Sequence, residues 1–214
     1  MDNDEILNDW INSTVGYVKP LPECIPYLER IEEDVHKYFN LKGKATEPPP
    51  REPFATLVHN DFWVNNIMFK YQKSSDNNSS IPVKVKIVDF QLTTYASPVR
   101  DLIFLLFTSS EEGLVEKHYD YLISLYHKEF FTVLEKLGCD TKPFSYKHFL
   151  EELNACAPQE FSHVLFMLNP INADTTDIDM PNMNLDGVLI NRAGEIYNKK
   201  AKFLVQTFVE KGWL

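Results

Sequence analysis

Apolar residues recur at helical spacing over most of the chain. One helix is predicted within residues 21–40, where the apolar positions are Leu28, Ile31, Val35 and Phe39. Glutamate and lysine residues fill the opposite face, as in an amphipathic helix packed against a core. The same spacing predicts five further helical segments, namely Asp101–Thr108, Leu114–Leu137, one that begins at Ser145, Phe161–Leu168 and Ile196–Val209.

The longest of these segments carries a continuous apolar stripe. The stripe is predicted to face the core and consists of Tyr119, Leu122, Tyr126, Phe130, Val133 and Leu137. Gly138 follows directly, and glycine is the usual residue where a helix ends in a left-handed conformation. We therefore expect the helix to end there.

The middle of the chain follows a different period. Ile67–Tyr71 and Val83–Phe90 read as two strands that are joined by a polar turn over residues 72–80. Alternation in the second strand predicts that its lysines face outward and that three residues face inward, namely Val83, Val85 and Ile87. The fold class is therefore α+β and mostly α.

Two further segments are predicted to be irregular. The proline-rich stretch 42–53 cannot form a regular element, because proline lacks the amide donor and restricts the residue before it. The stretch 172–187 is rich in Asp and Asn, but an EF-hand frame that starts at Asn182 would place Ala193 where a bidentate Glu is needed. We expect a solvated loop there.

Composition and charge narrow the class of protein. The 214 residues are 44% hydrophobic and 13% aromatic, which is enough for a packed core. A formal net charge of -10 argues against nucleic acid or an anionic membrane surface as a partner. The longest apolar run is too short to span a bilayer. The amino terminus does not resemble a signal peptide, and the three cysteines lack metal-ligand spacing. We expect a cytoplasmic protein whose oligomeric state the sequence leaves open.

Polar residues that can carry chemistry cluster in the middle of the chain. His59 and Asp61 lie in one turn with Asn66 five residues after the aspartate, Asp89 ends a predicted strand, and Asp101 begins a predicted helix. A carboxylate such as Asp61 can accept a proton from a hydroxyl group. Amide and carboxylate oxygens, as in Asn66 and Asp89, are ligands that Mg²⁺ accepts while it keeps positions for phosphate oxygens. This is the residue pattern of phosphoryl transfer in kinases.

Each of these residues also has a simpler interpretation. His59 could be a core histidine, Asn66 could cap its own backbone, Asp89 could cap a strand end, and Asp101 could be a helix N-cap. The joint spacing of the whole set favours the kinase interpretation over these separate ones.

The same stretches resemble a known family. "LVHNDFWVNNIMF", "VKIVDFQLTTYASPVRDLIFLLFTS" and the terminal "EKGWL" are similar to the CHK kinase-like, or ecdysteroid kinase-like, proteins of the choline kinase and aminoglycoside phosphotransferase superfamily. The resemblance runs from about Leu21 to the end. It implies the large, C-terminal lobe of a protein-kinase-like fold, divided into a helical segment and proline-rich loop (1–56), a catalytic and metal-binding hairpin core (57–110) and a helical subdomain (111–214).

The resemblance also implies residue roles. Asp61 would be the catalytic base, Asn66 and Asp89 would bind Mg²⁺ and ATP, and His59 and Asp101 would brace the catalytic loop. The acceptor would be a hydroxyl group of a small lipophilic alcohol, with an ecdysteroid-like substrate implied by the family name. One departure is Asn60, which stands where the family commonly has glycine. Asparagine tolerates left-handed conformations better than most residues.

Other kinase features are missing from the sequence. There is no G-x-G-x-x-G motif, and only 58 residues precede His59. We therefore expect that the small lobe, with its glycine-rich loop and ATP-binding lysine, is absent, and that Phe62, Ile67 and Phe90 are more accessible than core residues. Two functions stay open: a weak or inactive ATP- and Mg²⁺-dependent kinase, and a non-catalytic kinase-like module that binds a ligand or partner.

Overall fold

The computed structural model describes residues 3–41, 49–73, 80–172 and 194–214. Most of the predicted turn 72–80, most of the predicted loop 172–187 and part of the proline-rich loop lie outside these ranges, as does the EF-hand frame from Asn182. Within them, none of the helices is long and apolar enough to cross a membrane.

Helices make up most of the described chain. Within the described ranges the α-helices are α1 (Asn3–Val18), α2 (Leu28–Leu41), α3 (Val99–Ser109), α4 (Leu114–Lys136), α5 (Tyr146–Cys156), α6 (Phe161–Ile171) and α7 (Glu195–Glu210). All but α1 correspond to predicted segments. Short 3₁₀ helices occur next to α-helices at Ile25–Tyr27, Lys142–Phe144 and Ala157–Glu160, and between strands at Val64–Asn66 and Phe90–Leu92. The predicted α+β, mostly α class is confirmed.

The helix ends follow the chemistry of their terminal residues. At the start of α5 the Ser145 hydroxyl accepts a hydrogen bond from the His148 amide at 3.3 Å, as an N-cap does. After α4, Gly138 adopts a φ of 73°, and its amide donates to the Glu135 carbonyl at 3.0 Å. A residue with a side chain would be strained at this φ, which explains why a glycine ends the helix.

Four strands form two small antiparallel sheets in the described residues. They are β1 (Thr56–Val58), β2 (Ile67–Lys73), β3 (Ser80–Ile87) and β4 (Thr94–Ala96). Strand β1 pairs with β4, and β2 pairs with β3 with Ile67 opposite Ile87. The chain therefore runs from β1 through one loop into β2, and from β3 through a second loop into β4. This connectivity brings the loops 59–66 and 88–93 side by side.

The hydrophobic core lies among the helices. Helix α6 contributes Phe161, Val164, Leu165 and Leu168, each at most 1% exposed. It contacts α1, α2, α3 and α7, so it lies at the centre of the packed body. The predicted apolar face of α2 is confirmed by the complete burial of its central residues, since Ile31 and Val35 are 0% exposed.

The β2–β3 hairpin does not bury the residues that alternation assigned to the core. Val83 and Val85 are each 51% exposed and Ile87 is 42% exposed, so the prediction that they face inward is wrong. All eight residues of β3 are exposed. The reason is that strand pairing alone covers no side-chain face, and among the described residues no element packs over β3.

The stripe on α4 is only partly buried. Tyr119, Leu122, Tyr126 and Phe130 pack against the core as predicted. Val133 and Leu137 are 52% and 72% exposed, so the prediction fails over the last turns of the stripe. The stripe has the correct period there, but no described element covers these last turns.

Candidate active site

The loop between β1 and β2 is held closed by hydrogen bonds from the Asn66 side chain to Asp61, five residues earlier in the sequence. The Asn66 amide nitrogen donates to the Asp61 carbonyl at 2.8 Å and to the Asp61 carboxylate oxygen Oδ2 at 3.0 Å. The Trp63 amide also donates to the Asp61 carbonyl, at 3.2 Å. Asn66 is buried, whereas Asp61 is only half-buried. The loop therefore fixes the Asp61 side chain and leaves part of it open to solvent.

Asp89 lies beside this loop because of the register of β2 and β3. The Val88 amide donates to the Asn66 carbonyl at 3.0 Å, which extends the pairing of Ile67 with Ile87 by one step. Asp89 follows with a φ of 66° and an exposed side chain. A left-handed non-glycine residue is uncommon and marks a turn held by its surroundings. The structure thus brings Asn66 and Asp89 to neighbouring positions across two loops.

Asp101 holds the start of the Asp61 loop from the first turn of α3. Its two carboxylate oxygens accept hydrogen bonds from the His59 amide at 2.7 Å and from the Asn60 amide at 2.8 Å. Burial raises the pKa of Asp101, although the two backbone hydrogen bonds act to lower it. The N-cap of α3 is Pro98, so the interpretation of Asp101 as a helix N-cap is wrong.

The Asp101 hydrogen bonds explain the backbone at the neighbouring position. Asn60 has a φ of 65°, the left-handed conformation that glycine or asparagine tolerates best. In this conformation two successive amides point toward the same carboxylate. The departure from the family's glycine is thus accommodated by the asparagine.

His59 links the two loops. Its Nε2 atom lies 2.8 Å from the Val88 carbonyl oxygen, and Nε2 must be the donor because a carbonyl can only accept. The ring is 5.1 Å from the Phe90 ring, and His59 is 6% exposed. Its other nitrogen, Nδ1, is buried without a hydrogen-bond partner among the described residues. His59 is therefore buried, as a core histidine would be, but only one of its two ring nitrogens has a hydrogen-bond partner among the described residues.

The structure adds contacts that the sequence did not single out. The Val64 amide, inside the Asp61 loop, donates to the Ser109 hydroxyl at the end of α3 at 3.0 Å. Both ends of helix α3 therefore contact the loop, with Asp101 near the start of the helix and Ser109 at its end. Serine is too common for one such residue to be recognised from sequence, and the contact spans 45 residues.

A buried ion pair fixes α3 next to the Asp101 contact. Arg100 Nε donates to Glu160 Oε1 at 2.6 Å, and His163 Nδ1 lies 2.9 Å from Glu160 Oε2. Glu160 is 1% exposed. Burial would raise the pKa of Glu160, but the hydrogen bond from His163 and the nearby charges hold it below its usual value. The residue before Asp101 is thereby tied to the centre of the helical body.

The donor atoms at the two loops fit a magnesium ion that is shared with phosphate. Because the Asn66 nitrogen faces Asp61, the side-chain oxygen of Asn66 is left as a ligand atom. The Asp89 carboxylate has one long contact, 3.5 Å from Gln91 Nε2. One amide and one carboxylate oxygen are few ligands, but Mg²⁺ commonly takes one or two protein carboxylates and completes its shell with water and phosphate. Across the described residues, no group of three or more His, Cys, Asp or Glu residues could hold a metal ion by itself.

Accessibility differs among the three aromatic and apolar residues that were expected to be open. Phe90 is 60% exposed, whereas Phe62 and Ile67 are half-buried. All three are more accessible than core residues such as Phe161. The face that carries Asp89 is thus the more open side of the site.

Comparison with known proteins supports the same family as the sequence motifs. A profile of the ecdysteroid kinase-like family matches residues 2–139, which include β1 to β4 and the helices α1 to α4. The match begins before Leu21, the expected start of the resemblance, and residues 140–214 lie beyond it. No curated protein matches the chain. Because the match covers more than half of the sequence and includes both loops of the site, the chain belongs to the ecdysteroid kinase-like family.

Proposed function

We propose that the chain is a small-molecule kinase that transfers the γ-phosphoryl group of ATP to a hydroxyl group of a lipophilic alcohol of the ecdysteroid class. The observation that carries this proposal is the double hydrogen bond from Asn66 to Asp61 in a loop clamped by Asp101. Such a loop holds a carboxylate in one place and leaves the second carboxylate oxygen for a substrate. Family membership supports the reaction class.

In this proposal Asp61 is the catalytic base. Its Oδ2 atom accepts from Asn66, so Oδ1 would receive the proton of the acceptor hydroxyl. The acceptor oxygen then forms a bond to the γ-phosphorus, the bond from that phosphorus to the β–γ bridging oxygen breaks, and ADP leaves. Positioned proton acceptors of this kind contribute about 10²–10⁴-fold to the rate.

Asn66 and Asp89 are the proposed ligands for Mg²⁺. The ion would supply neutralisation of phosphate charge, which a chain with a net charge of -10 otherwise opposes. His59 and Asp101 are positioning residues, since their hydrogen bonds go to backbone atoms of the two loops. We propose a cytoplasmic location, which the absence of disulfides among Cys24, Cys139 and Cys156 supports.

The expected rate is low because the site is open. Asp89 and Phe90 are exposed, and a phosphoryl-transfer site that admits bulk water loses part of its electrostatic stabilisation. The direct test is formation of a phosphate ester from ecdysone and ATP, detected by mass spectrometry, with and without MgCl₂. We expect slow, Mg²⁺-dependent product formation that falls by at least about 100-fold in Asp61→Asn.

The matched control is Asp140→Asn, because Asp140 is an exposed aspartate in a turn remote from both loops in sequence. This variant should keep the full rate. If the native chain and Asp61→Asn give the same product level, the kinase proposal is refuted and the alternative of a non-catalytic kinase-like module is favoured.

A further inference from the structure

A cavity of about 250 Å³ lies between the end of α3, the start of α4 and one face of α7. Its apolar wall is formed by Leu106, Phe107, Val115 and Phe203. Its remaining lining is polar and includes three lysines and three glutamates. Small-molecule sites usually combine an apolar wall with polar groups that orient the ligand, and this cavity has both kinds of lining.

The cavity adjoins the anchor of the Asp61 loop. Ser109, which accepts a hydrogen bond from the Val64 amide, is followed directly by Ser110, which lines the cavity. Val64 is three residues from Asp61, so their Cα atoms are at most about 11 Å apart. A molecule seated against Ser110 can therefore extend along the end of α3 toward the loop that holds Asp61.

Two of the lysines at the cavity are already paired. Lys199 lies 3.0 Å from Glu112, and Lys202 forms an ion pair with Glu23 outside the cavity. The third, Lys200, donates to the Thr108 carbonyl at 2.7 Å, and burial lowers its pKa. This bond satisfies one of the carbonyls that a helix leaves open at its C-terminal end.

The lining favours a neutral ligand over an anion. The three lysines are balanced by Glu111, Glu112 and Glu116, so the lining is formally neutral. An anionic ligand would meet carboxylates as often as ammonium groups. Hydroxyl groups can accept from lysine and donate to glutamate, so a neutral alcohol can satisfy both.

We propose that this cavity binds part of the acceptor alcohol, namely the apolar ring face of a neutral, polyhydroxylated steroid. The inference rests on the proposed kinase function and adds the residues that select the acceptor. A volume of about 250 Å³ is just below the range of about 300–1,000 Å³ for sites that enclose a whole ligand. The cavity therefore takes one end of the steroid and leaves the other end free to reach Asp61.

The test measures protection of a thiol introduced by Ser110→Cys. Burial raises the pKa of Cys24 to about 11 and that of Cys156 to about 12, so both react slowly. Cys139 is exposed and follows the C-terminal end of α4, whereas the cavity lies at the N-terminal end of that helix. It therefore serves as an internal control in the same molecule when alkylation is followed by peptide mass spectrometry.

Ecdysone at about ten times its Kd should slow alkylation of the introduced thiol about tenfold, because only about one site in ten is then free. The rate at Cys139 should not change. Cholate, a steroid of similar shape that carries a carboxylate, should protect much less at the same concentration. Equal protection by cholate would overturn the neutral-ligand class, and no protection by ecdysone would overturn the site.

A second pair of variants tests the location independently. Gln206→Trp places a large side chain at the cavity edge, whereas Asn198→Trp makes the same change at an exposed position of α7 outside the lining. In the Ser110→Cys background, Gln206→Trp should weaken ecdysone protection at least about tenfold and Asn198→Trp should leave it unchanged. Equal effects of the two variants would contradict the assignment.

These measurements contain neither ATP nor Mg²⁺, so they do not depend on turnover. Asp61→Asn should lower phosphate transfer at least about 100-fold and leave ecdysone protection of the introduced thiol intact. If a chain with Asp61 in place transfers phosphate but ecdysone does not protect the thiol, the cavity assignment alone is refuted. If ecdysone protects the thiol but that chain transfers no phosphate, the kinase function alone is refuted.

Discussion

The helical body and the β2–β3 hairpin have comparably apolar sequences, but only the body buries them. In α6, Phe161, Val164 and Leu165 are at most 1% exposed, whereas in the hairpin Met68 and Tyr71 are 59% and 57% exposed. The period of apolar residues predicted the element type correctly in both regions. The comparison shows that the spacing of apolar residues identifies the apolar face of a helix or strand. Whether that face is buried depends on a second element that packs against it, which the spacing does not specify.

The hairpin also carries unfavourable charge. Lys70 lies directly opposite Lys84 in the strand register, and Lys86 lies opposite Met68 on the same face. Like charges in cross-strand positions are destabilising, and a two-stranded sheet alone is marginal in water. The base of the hairpin is tied to the Asp61 loop by His59, whose Nε2 atom donates to the Val88 carbonyl at 2.8 Å.

The largest expected effect contrasts one phenylalanine from each region. Phe161→Ala should lower the free energy of unfolding by about 4 kcal/mol, because it leaves a cavity in the centre of the core. Phe69→Ala, at a position 42% exposed, should cost less than about 1 kcal/mol. Urea unfolding of both variants measures the difference, and similar losses would mean that the hairpin is as well packed as the body.

The second prediction concerns the buried ion pair of the body. Glu160→Gln should cost about 3 kcal/mol near neutral pH, because it removes the buried carboxylate charge that pairs with Arg100 and His163. Glu151→Gln is the matched surface control, since its ion pair with Lys147 is exposed and 3.9 Å long, and it should stay within about 0.5 kcal/mol.

The pH dependence of that variant has a definite sign. The pKa of Glu160 is lower in the folded chain than in the unfolded one. The stability that it contributes is therefore complete above the unfolded value of about 4.3 and is lost as pH falls through the folded pKa. The gap between the native chain and Glu160→Gln should narrow in urea titrations as pH falls below about 4. A gap that does not change with pH would contradict the charged role of Glu160.

The third and smaller effect concerns the loop where the two regions meet. Asp101→Ala leaves the amides of His59 and Asn60 without their acceptor, which should cost about 2 kcal/mol and expose both amides to hydrogen exchange. Asp140→Ala removes an exposed bond to the Lys142 amide and should cost less than about 1 kcal/mol. Unchanged protection of both loop amides in Asp101→Ala would show that the clamp does not order the loop.

Local patterns predicted much of the fold. Ile31 and Val35 in α2, the α4 terminus at Gly138 and the β2–β3 pair followed from spacing and residue type. Helix α1 is not among the predicted segments, although Leu7, Ile11 and Val15 recur every four residues, because polar and acidic residues dominate its start. Strands β1 and β4 have three residues each, too few for a period to be visible.

For the candidate site, spacing in the sequence singles out Asp61, Asn66 and Asp89, and their roles remain predictions. The hydrogen bonds that hold the site together could not be predicted from the sequence. Contacts such as Val64 to Ser109 and Arg100 to Glu160 join residues 45 and 60 positions apart. No local pattern contains them, because they arise only when α3 packs against the loop and against α6.

The most direct test of the account is the thermal stability of the chain with Mg²⁺ and ATP. At about ten times its Kd, the complex should stabilise the fold by about 1.4 kcal/mol, which corresponds to a rise of about 3–5 °C in Tm for a chain of this size. The rise should require both Mg²⁺ and ATP, disappear in Asp89→Asn and persist in Asp140→Asn. No rise in the native chain, or an equal rise in Asp89→Asn, would contradict nucleotide binding through Asn66 and Asp89.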